Sequence, residues 1–263
     1  MMADRSKILV TNDDGVHSEG IIVLAKALSE VGDVFVVAPD REKSAISHSL
    51  TLHRPLRVER VKRNFYAVDG TPADCVYLGV NVIASSRPRM IVSGINKGGN
   101  LGDDVTYSGT VSAAFEGTLL GIPSFAISLV SRSHFKFQTA ARFAVRVAKY
   151  IIRHDLPKDT FLNINVPNLD EKEIKSYRIT RQGRWTHNGS GVIEKVDPRG
   201  KKYYWIGSDQ LIFDKSRETD FEAVSNASIS ITPLHLDLTN HISIRELKNG
   251  NFRIHIYFSV GRH

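Results

Sequence analysis

Residues 8–15 read Ile-Leu-Val-Thr-Asn-Asp-Asp-Gly, a short apolar run that ends in two adjacent carboxylates and a glycine. An apolar run of this length, bounded by turn-forming residues, is typical of a buried strand. Gly15 permits a sharp backbone turn after the strand because it lacks a Cβ atom. Asp13 and Asp14 therefore leave the predicted strand together, and two adjacent anions repel each other unless a cation joins them.

Strand-like and helix-like segments alternate through the first half of the chain. The predicted order, by residue number, is strand 7–12, helix 18–31, strand 34–38, helix 71–83, strand 90–92, helix 111–120 and strand 124–129. This alternation predicts an α/β fold in which helices cover both faces of a mostly parallel sheet. In such sheets ligands bind beyond the carboxyl ends of the strands, where the connecting loops gather.

The pattern changes after residue 176. Short β-like pieces with glycine, proline and many charges occupy 182–205, and polar and apolar residues alternate in 228–232. We expect these pieces to be hairpins attached to the main sheet. The whole chain, 1–263, is then one domain, with an α/β core at 1–176 and β-rich hairpins and a C-terminal extension at 177–263.

The composition is that of a globular protein: 41% of the 263 residues are hydrophobic. No apolar run approaches the roughly 20 residues that cross a bilayer, and the N-terminal residues lack the apolar stretch of a secretory signal. We therefore expect a cytoplasmic protein without a membrane partner. Cys75 is the only cysteine, so the chain can form neither an intramolecular disulfide nor a multi-thiolate zinc site. We expect Cys75 to be buried as a small hydrophobic residue. The net charge of +7 favours an anionic partner.

Two other predicted loops bring neutral oxygen atoms to the same edge of the sheet as Asp13 and Asp14. Ser44 follows the second strand and Asn96 follows a later one. Carboxylate, hydroxyl and amide oxygens are the ligands of hard cations such as Mg²⁺ and Mn²⁺. The alternative is a solvated turn in which an aspartate caps the next helix. Ser18 is placed to cap that helix, which leaves the carboxylates free for a metal ion.

The segment 96–110 is rich in glycine and runs into a predicted helix. Its last residues are Ser108, Gly109 and Thr110. Glycines let backbone N–H groups approach an anion, and a helix N-terminus adds unpaired donors, so the segment predicts a phosphate-binding loop. Alternatively, Ser108 and Thr110 are ordinary helix caps.

A bound cation and a phosphate-binding loop together suffice for the hydrolysis of a phosphomonoester. Phosphatases that form an aspartyl-phosphate use two aspartates spaced by one residue, so the adjacent pair here favours direct attack by metal-activated water. His17 and His48 are candidates to protonate the leaving group, because imidazole titrates near neutral pH. The aromatic candidates for stacking on a base are Tyr66, Tyr107, Trp185 and Trp205.

At these motifs the chain resembles the SurE family of survival-protein nucleotidases. The similarity lies in five blocks: ILVTNDDG at 8–15, APDREKSAISHSLT at 38–51, DGTPADC at 69–75, SGINKGGNLGDDVTYSGTVSAAFEG at 93–117 and ISITPL at 229–234. The combination is far more specific than any single block.

The resemblance implies a Rossmann-like three-layer core with C-terminal β-hairpin extensions used in oligomerisation. It implies one divalent metal ion, Mg²⁺ or Mn²⁺, per subunit and hydrolysis of nucleoside 5′- and 3′-monophosphates, with short-chain polyphosphate as a further substrate. The implied partners are the nucleotide and copies of the same chain, in a homodimer or homotetramer. Carried over by position, the metal ligands are Asp13, Asp14, Ser44 and Asn96, with Asp13 and Asp14 catalytic, and the phosphate contacts are Asn100, Ser108, Gly109 and Thr110.

Three alanines depart from the family pattern. Ala45 stands where a glycine is expected after Ser44, Ala73 where threonine is usual, and Ala227 where a glycine often precedes the last block. We expect Ala45 to crowd the metal loop and the other two to affect packing. The basic segment 178–202 and the tail 241–263 match nothing in that pattern.

Other classes of protein fit the sequence less well. A dinucleotide-binding oxidoreductase needs a Gly-x-Gly-x-x-Gly turn after the first strand, whereas this chain places two negative charges there. A nucleic-acid-binding protein is suggested by the charge and by the cluster at Lys195, Arg199, Lys201 and Lys202, but no recognised binding motif accompanies it. The remaining alternative is an inactive nucleotide- or nucleic-acid-binding protein with the same fold.

Overall fold

The computed structural model describes residues 6–187, 192–206, 211–213 and 216–250. Within these ranges the strands are, in chain order, β1 (Lys7–Thr11), β2 (Asp33–Pro39), β3 (Val58–Lys62), β4 (Phe65–Val68), β5 (Met90–Lys97), β6 (Ser124–Val130), β7 (Thr160–Pro167), β8 (Ser176–Ile179), β9 (Trp185–His187), β10 (Val192–Val196), β11 (Lys202–Ile206), β12 (Leu211–Phe213) and β13 (Ser228–His235). The α-helices are α1 (Glu19–Leu28), α2 (Pro72–Leu78), α3 (Gly109–Leu119), α4 (Phe137–His154), α5 (Asp220–Ser225) and α6 (His241–Asn249).

The main sheet has the strand order β3-β4-β2-β1-β5-β6-β7-β13-β8. The six strands from β4 to β7 in that order run parallel to their neighbours, whereas β3 is antiparallel to β4 and β13 is antiparallel to β7. The predicted mostly parallel sheet is therefore confirmed, with antiparallel pairs towards both edges.

Alternate residues of β1 pack against opposite helical layers. Ile8 and Val10 belong to a core that includes Leu24 of α1 and Phe137 of α4, whereas Leu9 packs in a second core with residues of α2 and α3. Burying an aliphatic side chain of this size stabilises a fold by about 1.5–3 kcal/mol. The chain thus forms the predicted three layers, and Cys75 is fully buried in the α2–α3 layer as expected.

Strand β5 is longer than predicted and changes the position of one candidate ligand. The sequence indicated a strand over 90–92, but β5 continues to Lys97, with a register shift against β6 between Gly94 and Asn96. The turn-forming pair Ser93-Gly94 was misleading, because it lies within the strand at this irregularity. Asn96 is therefore a strand residue near the carboxyl end of β5.

The loop after β1 turns sharply at Gly15, as predicted, with a φ of 94°. Ser18 occupies the N-cap position of α1, but its side chain makes no capping hydrogen bond. Its hydroxyl instead accepts a hydrogen bond from Asn12 Nδ2 at 2.7 Å, and the same amide group donates to the Gly15 carbonyl at 3.1 Å. Asn12, rather than a helix cap, fixes the loop that carries Asp13.

The prediction for the C-terminal part was partly wrong. Residues 228–232 were predicted as an attached hairpin, but they lie in β13, inside the main sheet between β7 and β8. The polar side chains of Ser230 and Thr232 are buried. Their hydroxyls each lie 2.8 Å from the Thr180 hydroxyl, which satisfies these buried polar groups. Separate two-stranded sheets are formed by β10 with β11 and by β9 with β12. Residues 188–191 of the predicted hairpin region and 251–263 of the tail lie outside the described residues.

Among the helices in the described part of the chain, none is long and apolar enough to span a membrane.

Candidate active site

One cavity of about 320 Å³, which we call the acidic cavity, lies where four parts of the chain meet. They are the loops after β1 and β2, the carboxyl end of β5 and the segment before α3. Its lining residues are Asp13, Asp14, Glu42, Ser44, Ala45, Asn96, Lys97, Asn100, Asp104, Tyr107 and Ser108. Six of the eight predicted metal and phosphate ligands are in this set. The other two, Gly109 and Thr110, lie directly behind Asp13.

Asp13 is almost completely buried, with 7% of its surface exposed. The pKa of Asp13 is raised to about 6, chiefly by burial and to a lesser extent by the neighbouring Asp14 carboxylate, while a hydrogen bond from the Thr110 hydroxyl opposes both effects. No lysine or arginine in the described ranges forms an ion pair with it. A cation bound next to Asp13 would therefore stabilise its buried negative charge.

Asp14 is half-buried beside it. Burial raises the pKa of Asp14, the Glu42 carboxylate adds to this effect, and the backbone N–H and positive charge of Lys97 oppose it. That N–H donates to Asp14 Oδ2 at 3.2 Å. The end of β5 therefore orients the second carboxylate, as Thr110 orients the first.

The start of α3 approaches Asp13 closely because residue 109 is a glycine. A Cβ atom at Gly109 would lie 2.9 Å from Asp13 Cβ and 3.2 Å from Pro72 Cγ. Ser108 is the N-cap of α3, and its Oγ accepts a hydrogen bond from the Val111 N–H at 3.0 Å. The cap alternative thus holds for Ser108, which also lines the acidic cavity, whereas the Thr110 side chain is a partner of Asp13.

Asn100 is held by a buried group of polar side chains from β6 and β7. Its Nδ2 donates to Ser128 Oγ at 2.7 Å, and its backbone N–H donates to Asn165 Oδ1 at 2.8 Å. Its carbonyl accepts hydrogen bonds from the amides of Asn163 and Asn165 at 2.8 and 3.0 Å. The glycine-rich loop is therefore anchored to the sheet at this residue.

The loop that carries Ser44 is more exposed. The Ser44 hydroxyl donates to Glu42 Oε1 at 2.5 Å. Farther along, Ser47 binds the segment before α3, with its N–H on the Tyr107 carbonyl at 3.0 Å and its hydroxyl on the Thr106 carbonyl at 2.8 Å. These contacts connect the loop after β2 to the segment before α3 beside the acidic cavity.

The departures at residues 45 and 227 have the same conformational basis. Ala45 and Ala227 adopt left-handed φ angles of 53° and 58°. Glycine has no penalty there, whereas other residues lose about 1–2 kcal/mol. Alanine at these two positions therefore introduces backbone strain. Ala73 is simply buried in α2.

Neither candidate histidine lines the acidic cavity. His17 is exposed, and His48 Nε2 lies 2.7 Å from Glu116 Oε2 on α3, with its ring against Phe115. Of the aromatic candidates, only Tyr107 is among the lining residues. Tyr66 lines a larger cavity of about 610 Å³ at the amino ends of β1 and β2, which contains none of the predicted ligands.

Three residues of the site were not predicted individually: Glu42, Lys97 and Asp104. Each lies inside a block that resembles the family, so the signal was present without an assigned role. For Asn163 and Asn165 the signal was two asparagines at alternate positions of an otherwise apolar strand.

The donor set fits a hard divalent cation better than zinc. Carboxylates, a hydroxyl and amide oxygens line the acidic cavity, with no cysteine or histidine among them. In the described residues no three histidine, cysteine or acidic side chains come close enough to hold one ion. A cation at Asp13 and Asp14 would therefore take further ligands from neutral oxygens, which Ser44 and Asn96 carry.

Fold and cavity together define a three-layer α/β protein whose ligand site lies at the carboxyl edge of a mostly parallel sheet. The family model described as survival protein SurE matches residues 8–189, and the chain belongs to this family. It is 54% identical over 243 residues to the 5′-nucleotidase SurE of Geotalea uraniireducens (strain Rf4), covering 92% of this chain and 98% of that relative. It is also 54% identical to the 5′-nucleotidase SurE of Geobacter sulfurreducens (strain ATCC 51573 / DSM 12127 / PCA), covering 92% of each.

The fold agrees with a solved relative. The crystal structure of the SurE protein from Aquifex aeolicus matches with a TM-score of 0.82 at 45% identity, covering 92% of this chain and 98% of that one. The predicted family and fold class are confirmed.

Proposed function

We propose that this chain is a metal-dependent phosphoric monoester hydrolase that releases phosphate from nucleoside 5′-monophosphates. The observation that carries the proposal is the adjacent carboxylate pair, buried Asp13 and half-buried Asp14, where the start of α3 meets the acidic cavity. Two close relatives that carry the name 5′-nucleotidase support the choice of substrate.

Asp13 and Asp14, with Ser44 and Asn96, would hold the cation. A bound Mg²⁺ or Mn²⁺ neutralises charge on phosphoryl oxygens and makes water a better nucleophile. In the reaction a bond forms between the water oxygen and phosphorus, the bond from phosphorus to the nucleoside oxygen breaks, and that oxygen receives a proton.

The chain's own groups position the phosphoryl group. Ser108 and Gly109 begin α3, where unpaired N–H groups and the helix dipole favour an anion. Asn100 lines the cavity from a fixed position, and Lys97 supplies a positive charge among several carboxylates. Thr110 acts indirectly: its hydroxyl donates a hydrogen bond to the Asp13 carboxylate and holds it in position.

Tyr107 is our candidate for contact with the base. It lines the acidic cavity and is 63% exposed, so one face is available to a planar group. Hydrolysis of nucleoside 3′-monophosphates and short-chain polyphosphate, and a cytoplasmic location, belong to the same proposal.

We also propose that the protein works as a homodimer or homotetramer. The hairpin of β10 and β11 and the helix α6 expose apolar side chains, including Trp205 at 62%, Ile206 at 92% and Ile242 at 62%. Exposed apolar patches mark contacts with other proteins, and we assign these side chains to contacts between subunits.

The test is phosphate release from a panel of nucleoside 5′- and 3′-monophosphates, first with EDTA and then with Mg²⁺ or Mn²⁺ restored. Metal-dependent release that is lost in Asp13→Asn would support the proposal. No release with any metal from folded protein would overturn it and leave the inactive nucleotide- or nucleic-acid-binding alternative.

A further inference from the structure

A buried carboxylate outside the acidic cavity joins the C-terminal part of the chain to one cavity wall. Asp220, the first residue of α5, has no exposed surface. Its Oδ2 accepts a hydrogen bond from the Gly102 N–H at 2.8 Å, and its Oδ1 accepts bonds from the N–H groups of Gly183 and Phe221, both at 2.9 Å. Three separate segments of the chain therefore meet at one side chain, which we call the Asp220 joint.

The joint is too tight for side chains at either glycine. A Cβ atom at Gly102 would lie 2.6 Å from Phe221 Cε2, and one at Gly183 would lie 2.5 Å from Phe221 Cδ2. Gly102 also has a φ of 54°. The backbone at both positions thus approaches α5 at a distance that only glycine permits.

The short 3₁₀ turn Gly102–Thr106 is held at its first two residues by the segment 182–185. The Gly102 carbonyl accepts a hydrogen bond from Gln182 Nε2 at 2.8 Å, and Asp103 Oδ2 accepts one from the Trp185 N–H at 3.0 Å. Burial raises the pKa of the neighbouring Asp104 carboxyl, and the Trp185 side chain opposes this rise. Trp185 in turn packs edge-on against Phe221, with ring centroids 4.7 Å apart.

This turn leads directly into the acidic cavity. Asp104 and Tyr107 line it, and the Tyr107 N–H donates to the Asp104 carbonyl at 3.0 Å. The phosphate end of the cavity is anchored differently, by the contact of Thr110 with Asp13 and by the hydrogen bonds that hold Asn100. The joint therefore controls one wall only.

Burying the Asp220 carboxylate costs folding free energy, which an uncharged side chain would avoid. Its presence therefore indicates that the two acceptor oxygens of a carboxylate are needed at this position. In the described residues no lysine or arginine forms an ion pair with Asp220, so its charge is balanced by N–H dipoles alone. An asparagine of the same shape would turn an NH₂ group towards an N–H donor on one side. Only an acceptor on both sides holds the Gly102 and Gly183 backbones together.

We propose that Asp220 is a positioning residue that holds Asp104 and Tyr107 against the nucleoside part of the substrate. Nucleotide selectivity is then set from outside the cavity, by the C-terminal part of the chain. This inference rests on the proposed nucleotidase function, because it assigns the nucleoside to this wall.

The experiment compares Asp220→Asn with the wild-type protein on two substrates, a nucleoside 5′-monophosphate and p-nitrophenyl phosphate, in saturating Mn²⁺. We expect the KM for the nucleotide to rise roughly tenfold, with kcat for both substrates and the KM for p-nitrophenyl phosphate changed less than about twofold. Glu222→Gln is the matched control. Glu222 lies on the same helix as Asp220, and its replacement breaks an ion pair with Arg178 of β8 but no hydrogen bond of the Asp220 joint, so hydrolysis of both substrates should be unaffected.

Parallel losses on both substrates, or unchanged kinetics in a folded variant, would overturn the positioning role. If Asp220→Asn does not fold, Gln182→Ala removes a second hydrogen bond that holds Gly102 and must show the same split between substrates. If the wild-type protein hydrolyses neither substrate, the proposed function fails. Calorimetric binding then decides the positioning role separately: Asp220→Asn must weaken binding of the nucleotide but not of inorganic phosphate, and equal weakening would overturn it.

Discussion

The hydroxyl group of Thr110 donates a hydrogen bond to the Asp13 carboxylate, so the second residue of α3 contacts the loop after β1 across 97 positions of sequence. Because Gly109 lets the helix approach, the proposed phosphate-binding segment and the proposed metal-binding loop share one contact. Movement of either element changes the other.

Thr110→Val keeps the size of the side chain but removes the donor. The hydrogen bond lowers the pKa of Asp13, so its loss should raise that pKa and weaken cation binding at neutral pH. A hydrogen bond to a charged group contributes about 1.5–3 kcal/mol. Starting from a pKa of about 6, its loss leaves a larger fraction of Asp13 protonated at pH 7 and should lower Mn²⁺ affinity roughly 2- to 15-fold. Mn²⁺ titrations of activity measure this. Thr110→Ser should remain near wild type, as should Thr118→Val, which removes a hydroxyl from the far end of α3. Equal affinities in Thr110→Val and wild type would contradict the assigned role.

Asp13→Asn should abolish the metal-dependent reaction and stabilise the metal-free protein above pH 6. The folded-state pKa of Asp13 is raised from 3.8 to about 6, so the folded state binds more protons and stability falls as pH rises through this window. Removing the charge should restore at most about 3 kcal/mol at pH 7.5 and little at pH 4. Urea unfolding in EDTA at both pH values is the measurement, with the exposed Glu30→Gln as control. A destabilised Asp13→Asn at pH 7.5 would show that burial of this charge is not costly.

Metal affinity should itself depend on pH. The carboxylates must lose their protons to bind a cation, so binding competes with protonation below a pKa of about 6. For one such group we expect apparent Mn²⁺ affinity to fall about tenfold between pH 7.5 and pH 5. The shift of the unfolding temperature with Mn²⁺ concentration measures this at each pH. An affinity independent of pH across this range would place the ion elsewhere.

The parts of the site that depend on neighbours in sequence could be predicted from the sequence. Asp13, Asp14 and Gly15 follow a buried strand directly, and Ser108 precedes a helix, so local rules place them. The length of β5 was not predictable in this way, because Ser93 and Gly94 resemble a turn while the strand continues through them.

The contacts that complete the site join residues far apart in the chain. Asp220 and Gly102 are 118 positions apart, and nothing next to either residue indicates the other. The same holds for Asn100 and Asn165, which are 65 positions apart. Such pairs follow from strand order, which places β13 beside β7, and alternation in the sequence alone suggested a hairpin for β13 instead.

Ala227→Gly should stabilise the protein without affecting catalysis. Ala227 follows the C-cap of α5 with a φ of 58°, the left-handed position at which helices commonly end in glycine. Relief of about 1–2 kcal/mol of strain outweighs the roughly 0.4–1 kcal/mol that glycine adds to the entropy of the unfolded chain. A net gain of about 1 kcal/mol corresponds to an increase of roughly 2–4 °C in Tm for a chain of this size, measurable by calorimetry. Ala223→Gly, inside the same helix, should lower Tm, because glycine there increases the flexibility of the unfolded chain and removes a buried methyl group. A lower Tm in Ala227→Gly would mean that alanine fits this left-handed position without strain.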